Sequence, residues 1–124
     1  ICQMVRDLNM PIEIVTNPII RERDGLAMSS RNTYLNPEER RAALVLSKSL
    51  AAAQSTYEKG ERDATTLRRI MEKIINTEPL ARLEYVSCAD YDTLEEMSII
   101  SKKALISMAV YLGKTRLIDN VVLE

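Results

Sequence analysis

The chain has 124 residues, 17 Lys and Arg against 18 Asp and Glu, no His, Trp or Phe, 46% apolar residues and 28% charged ones. A chain of this size buries roughly two-thirds of its unfolded surface, so there is material for one modest core and not for two. The net charge of −1 gives no global attraction for nucleic acid or an anionic membrane. No apolar run approaches the roughly 20 residues of a membrane-spanning helix, and the first residues lack the basic-then-apolar pattern of a signal peptide. The expectation is a cytoplasmic chain with no nucleic-acid and no membrane partner.

Zero histidines exclude Ser-His and Cys-His nucleophile pairs, imidazole metal sites, and any group whose unperturbed pKa lies near neutrality. Cys2 and Cys88 are too far apart in sequence for a Cys-x-x-Cys pair. Each is expected to be a small buried or half-buried thiol in a reducing compartment.

Ile1 to Leu8 reads as the end of an amphipathic helix, with Met4, Val5 and Leu8 on one face. Asn9 can stop it and Pro11 prevents its resumption. Ile12 to Val15 is a short β-rich run, and a helix followed at once by such a strand is the last piece of a parallel α/β unit. Thr16 to Tyr34 has neither helical nor strand periodicity. Loops beyond about 12–15 residues are uncommon in compact domains and are usually functional or disordered.

Asn36, Pro37 and Glu39 form a helix start with a capping box. The apolar stripe that follows, Ala43 to Ala52, predicts one helix running to about Tyr57, stopped by Gly60. Asp63 caps a second helix whose buried face is Leu67, Ile70, Met71, Ile74 and Ile75, ending before Pro79. Leu83 to Tyr91 reads as a strand, and Thr93-Leu94-Glu95-Glu96 as a capping box opening a short helical turn. Lys103–Leu112 and Arg116–Leu123 are β-rich runs joined by a hairpin turn at Gly113-Lys114-Thr115. Three antiparallel strands covered by two capped helices make an α+β two-layer domain over residues 36–124, preceded by a loop at 16–35 and by the helix and strand of 1–15.

The loop Arg21-Glu22-Arg23-Asp24-Gly25-Leu26-Ala27-Met28-Ser29-Ser30-Arg31-Asn32 carries the chemistry. It places two hydroxyls, a guanidinium and an amide in succession just ahead of a helix. An Arg fork matches phosphate oxygens, and small Ser residues donate hydroxyls while letting backbone N–H groups approach the same anion. Ser-Ser-Arg-Asn could equally be an ordinary polar turn bonding its own backbone. Glu22 and Asp24 either shape the turn or pair with Arg21 and Arg23. With Leu26, Ala27 and Met28 as its only apolar anchors, the loop is expected to be mobile without its ligand.

The longer string Ile14-Val15, Pro18, Arg21, Asp24 through Asn32 and Tyr34-Leu35 resembles the pantoate–β-alanine ligases, the pantothenate synthetases of vitamin B5 and coenzyme A synthesis. Gly60-Glu61-Arg62, Val86 through Asp90, Asp92-Thr93-Leu94 and Arg116 through Asn120 extend the resemblance to the family's carboxy-terminal half. That family belongs to the nucleotidyltransferases related to class I aminoacyl-tRNA synthetases, and Met28-Ser29-Ser30-Arg31 is similar to their Lys-Met-Ser-Lys-Ser loop. The resemblance implies an ATP-dependent ligase that makes a pantoyl adenylate and then joins it to β-alanine. Met28, Ser29, Ser30 and Arg31 would clamp the ATP phosphates, and the main chain of Ile20 would contact the adenine. Mg2+ would be held chiefly through the nucleotide. The family's His-x-Gly-His motif and its pantoate and β-alanine pockets belong to an amino-terminal Rossmann-like domain, of which residues 1–15 would be the final helix and strand. This chain would then carry no catalytic residue and be inactive alone. The competing reading is a non-catalytic helical interaction domain with a solvated Ser-Ser-Arg loop. The edge strand and the run Ile12–Val15 leave pairing with a second copy, a homodimer, open.

Overall fold

The computed structural model describes residues 1–124. The helices are α1 (Cys2–Asp7), α2 (Pro37–Ala42), α3 (Leu44–Glu58) and α4 (Ala64–Asn76), and a 3-10 turn spans Ser30–Tyr34. The strands β1 (Ala81–Asp90), β2 (Ala104–Leu112) and β3 (Thr115–Leu123) follow. They form one antiparallel sheet in the order β1-β2-β3, and the helices cover one of its faces, as the α+β expectation requires.

The period of two along β2 builds that layer. Ala104, Ile106, Met108, Val110 and Leu112 are all fully buried. Ile106 lies opposite Cys88 on β1 and Val121 on β3, and Val110 opposite Leu83 and Leu117. On α4, Leu67, Met71 and Ile75 recur at four-residue spacing and are fully buried, with α4 lying over β1 and α3 packed between α4 and β3. The one buried hydroxyl of α3, Ser49 Oγ, donates to the Leu46 carbonyl at 2.8 Å, so its burial leaves no unpaired polar group.

The capping signals are realised. Asn36 accepts from the Glu39 N–H at 2.8 Å while Glu39 accepts from the Asn36 N–H at 3.0 Å. Asp63 accepts from the Thr66 N–H. Two helices end in Schellman geometry with a left-handed residue just past the last turn. At Asn9 (φ 49°) the Met10 N–H donates to the Val5 carbonyl. At Gly60 (φ 111°) the Glu61 N–H donates to the Thr56 carbonyl.

Four expectations are corrected. The single helix from Asn36 is broken at Ala43, where the Leu46 N–H bonds back three residues to the Ala43 carbonyl at 3.2 Å. Ala42 and Ala43 at the break are both buried, and a run of good helix formers does not signal such a break. Ile12 to Val15 forms no strand, and Ile12 and Val15 are 52% and 68% exposed. A parallel strand needs a ladder neighbour, and no strand of this chain reaches it. Cys2 is exposed, whereas Cys88 is buried as expected, its thiol pushed up in pKa mainly by that burial.

The fourth concerns residues 93–97, which form no helix. The Glu96 carboxylate that a capping box would use is taken elsewhere. Its oxygens accept from the Cys88 N–H, the Ser87 hydroxyl and the Arg68 guanidinium. Asp90 organises the turn instead, accepting from the N–H groups of Asp92 (2.8 Å) and Thr93 (2.9 Å) and pairing with Lys102 Nζ at 2.5 Å.

The hydrogen bond from Lys102, then those from Thr93 and Asp92, hold the Asp90 carboxyl at about 2 against its usual 3.8. A depressed folded pKa means that the stability contributed by this carboxylate is complete above about pH 4 and is lost as pH falls through about 2. Asp90→Asn keeps the acceptor oxygen and removes the charge. Wild-type chain should therefore be more stable than the variant in urea melts at pH 6, and the gap should close between pH 4 and pH 2. A gap independent of pH would contradict this assignment.

Candidate functional site

Residues 20–28 fold back on themselves as a small two-armed turn. The Met28 N–H donates to the Ile20 carbonyl at 2.9 Å and the Glu22 N–H to the Leu26 carbonyl at 2.8 Å, and Arg21 bridges Ala27. Gly25, at φ +99°, allows the reversal, and a Cβ there would sit 3.2 Å from Ser47 Oγ on α3. Leu26, only 2% exposed, enters the main core.

Arg21 fixes this turn to the sheet. Its Nη1 and Nη2 donate to the two carboxylate oxygens of Asp119 on β3 at 2.7 and 3.0 Å, and Nη1 also reaches the Gly25 carbonyl at 2.9 Å. Asp119 is 3% exposed and accepts a further bond from the Asn120 N–H. Hydrogen bonding to Asp119 raises the guanidinium pKa further, against the opposing effect of burial. Asp24 forms a second tie, its carboxylate meeting the Arg40 guanidinium of α2 at 3.0 Å, and that bond lowers its pKa. The acids of the loop therefore do not pair with Arg21 or Arg23. Side chains adjacent in a tight turn diverge, and the partners come from α2 and β3 packed beside it. The apolar anchors are thus supplemented by two ion pairs, which the sequence reading of a loosely held loop did not include.

Beyond the turn, Ser29 Oγ accepts from the Arg31 N–H at 3.2 Å and caps the 3-10 turn. Asn32 Nδ2 donates to the Ala27 carbonyl at 3.0 Å, and the Thr33 hydroxyl to the Ser30 carbonyl at 2.8 Å. These bonds point the segment outward, so that Ser29, Ser30 and Arg31 are exposed. The Ser30 hydroxyl and the Arg31 guanidinium make no bond within the chain, which leaves them available to a ligand.

A cleft of about 310 Å³ runs between this segment and β3. Ile19, Met28, Ser29, Arg31 and Asn32 form one wall, Arg116 to Asn120 the other, and Leu26 and Leu46 also line it. The structure so brings Met28, Ser29 and Arg31 together. Ser30 follows on the solvent side, and Ile20 lies just outside the lining, 71% exposed. The Ile20 carbonyl is already committed to Met28, which leaves its N–H as the free main-chain group. Sequence reasoning gave Arg116 and Asp119 no role at the site. The signal was the string Arg116 to Asn120 itself, but only pairing across 98 residues shows that Asp119 holds the loop. No three His, Cys, Asp or Glu side chains cluster as metal ligands, so the residues here do not fit a protein-held magnesium ion.

Fold and site together place an unpaired cation and two hydroxyls on a braced loop beside the edge strand β3 of an α+β sheet. The family model described as pantoate-beta-alanine ligase matches residues 1–122, and the chain belongs to that family. It is 56% identical over 119 residues to a pantothenate synthetase of Thermoanaerobacter sp. (strain X514), covering 96% of this chain and 42% of that protein. To one of Roseiflexus sp. (strain RS-1) it is 58% identical over 122 residues, covering 98% and 44%. The crystal structure of pantothenate synthetase from Thermus thermophilus superposes with a TM-score of 0.89 at 38% identity, over 97% of this chain and 43% of that one. The chain thus spans well under half the length of the relatives it matches.

Removing the charge of Asp119 tests the brace. Asp119→Asn should cost about 1–3 kcal/mol, less than the roughly 3–5 of a fully buried broken pair because Arg21 keeps access to water. The amides of Glu22, Gly25 and Met28 should also exchange faster with solvent. Unchanged exchange at those three amides would show that the turn does not depend on the pair.

Proposed function

We propose that this chain is the carboxy-terminal part of an ATP-dependent ligase that joins pantoate to β-alanine. The observation that carries the reading is the Arg31 guanidinium, unpaired and exposed at the cleft beside Ser29 and Ser30, on a loop braced to β3 and α2 by Arg21 and Asp24. In the first step the pantoate carboxylate attacks the α-phosphorus of ATP and pyrophosphate departs, giving pantoyl adenylate. In the second the amine of β-alanine attacks the acyl carbonyl, AMP leaves, and pantothenate forms. Arg31, Ser29 and Ser30 bind the phosphates and hold donors on the charge that grows as pyrophosphate leaves. Met28 packs beside them, and the Ile20 N–H contacts the adenine. Magnesium would be held chiefly through the nucleotide, where it would offset the negative charge of the phosphates.

The reacting groups and the pantoate and β-alanine pockets belong, in this reading, to an amino-terminal Rossmann-like domain. Residues 1–15 are its tail, 16–35 the nucleotide-binding loop and linker, and 36–124 the domain that carries the loop. The exposed apolar side chains among the first 20 residues, Met4, Leu8, Ile12, Val15, Ile19 and Ile20, support a covering by that domain. We read the enzyme as cytoplasmic, and no helix is long and apolar enough to cross a membrane. An interaction domain presenting α3 and α4 is less well supported. Those helices spend their apolar faces on the sheet, and none of their large apolar residues is exposed.

Two outcomes are expected. The purified chain alone should make no pantothenate from ATP, pantoate and β-alanine, and substrate-dependent product would overturn the half-site reading. In the full-length ligase, Arg31→Ala should slow adenylate formation by roughly 2–4 kcal/mol of transition-state stabilisation, while pre-formed pantoyl adenylate is consumed at close to the wild-type rate. Equal loss in both half-reactions would remove Arg31 from the phosphate-binding role.

A further inference from the structure

A second, wider groove of about 700 Å³ adjoins the cleft on the side of the β2–β3 turn. Arg31 and Arg116 line both, and Tyr34, Glu39, Gly113, Lys114 and Thr115 complete the groove. Three cations meet there. Arg31 and Lys114 have no ion-pair partner, and Arg116 uses only its Nε, on Glu84 at 2.6 Å, which leaves both Nη groups free. The facing carboxylate, Glu39, is committed to the α2 capping box. Its other oxygen lies against the turn, where a Cβ on Gly113 would collide with it. Gly113, at φ +60°, makes Leu112 to Thr115 a two-residue hairpin, so Lys114 and Arg116 sit at fixed positions relative to the loop and are not on a floppy arm.

We propose that this groove receives the terminal phosphates of the nucleotide and the pyrophosphate they become, with Lys114 and Arg116 as binding residues beside Arg31. The inference rests on the ligase reading above. Departing pyrophosphate carries more negative charge than one guanidinium and two hydroxyls can compensate. The hairpin supplies two further cations in a groove that Arg31 lines and Ile20, the contact assigned to the adenine, does not. The chain places three cations around the groove against two carboxylates, Glu84 on Arg116 and the capping Glu39, and a polyanionic ligand stabilises the excess positive charge.

Calorimetry on the full-length ligase, with magnesium present, tests this through the dissociation constants of inorganic pyrophosphate and of AMP. Lys114→Gln and Arg116→Gln should each weaken pyrophosphate about tenfold, the size of a charge-assisted bond lost at a partly exposed site, and leave AMP within twofold. A change of threefold or more for pyrophosphate in the double variant supports the proposal, and a smaller one overturns it. Should Arg116→Gln fail to fold, Lys114→Gln, in an exposed turn, is judged at the same threshold. Arg31→Gln separates the two readings. If it weakens pyrophosphate while the hairpin variants do not, the groove fails and the ligase reading stands. If none of the three does, the phosphate-binding assignment of the loop fails with it.

Discussion

A carboxylate buried on an edge strand must find a cation, and Asp119 finds it in Arg21, 98 residues away. Most of the site follows from that pairing. Both carboxylate oxygens are used, so the guanidinium plane is fixed and not merely attracted. Its third contact, to the Gly25 carbonyl, carries that fixed orientation into the turn. Leu26 then reaches the core, and the chain leaves the turn along β3 with Ser29 to Asn32 facing outward. An ion pair with one partner this desolvated adds little net stability, since the desolvation of Asp119 offsets much of the attraction. Its contribution is to select one register of the loop against the strand, and a ligand site on a loop needs that selection more than it needs added stability.

The bracing also changes what the loop can contribute to a reaction. Donors that must be ordered at the moment charge develops lose part of their effect to that ordering, and donors held beforehand do not. Here the backbone of residues 20–33 is bonded to itself, and the Arg21 and Asp24 side chains tie it to β3 and α2. Beyond Gly25 the tips of Ser30 and Arg31 are left unbonded, so freedom remains in groups that a phosphate would touch.

Much of this was legible in the sequence, for local reasons. The capping box at Asn36, the Asp63 cap, the glycines at 60 and 113 and the alternation of β2 each encode structure within a few residues. The misread elements have non-local causes. Glu96 looked like a cap residue, but strand β1 and Arg68 compete for its carboxylate and win. Ile12 to Val15 has strand composition and no strand beside it, because a ladder belongs to two segments and only one is present. Asp24 and Arg21 took partners from α2 and β3 that no sequence window contains. The Ser-Ser-Arg segment was visible as chemistry, but which of its groups stay unbonded depends on Asn32, Thr33 and the Ser29 cap acting together.

Whole-chain charge hid the cationic end of the molecule for the same reason. A sum of −1 describes the field at distances beyond the screening length, about 8 Å at physiological salt. A phosphate at the cleft responds to the groups inside that distance. Near the loop, Asp24 and Asp119 are neutralised by Arg40 and Arg21, and Glu39 is tied into its cap. The acids that remain near the groove, Glu39 and the Arg116 partner Glu84, face three cations, Arg31, Lys114 and Arg116. The local surplus comes from which charges are paired, not from how many there are, and pairing is a property of the fold. A neutral composition is thus compatible with a strongly anion-seeking surface wherever packing consumes the carboxylates and spares the cations.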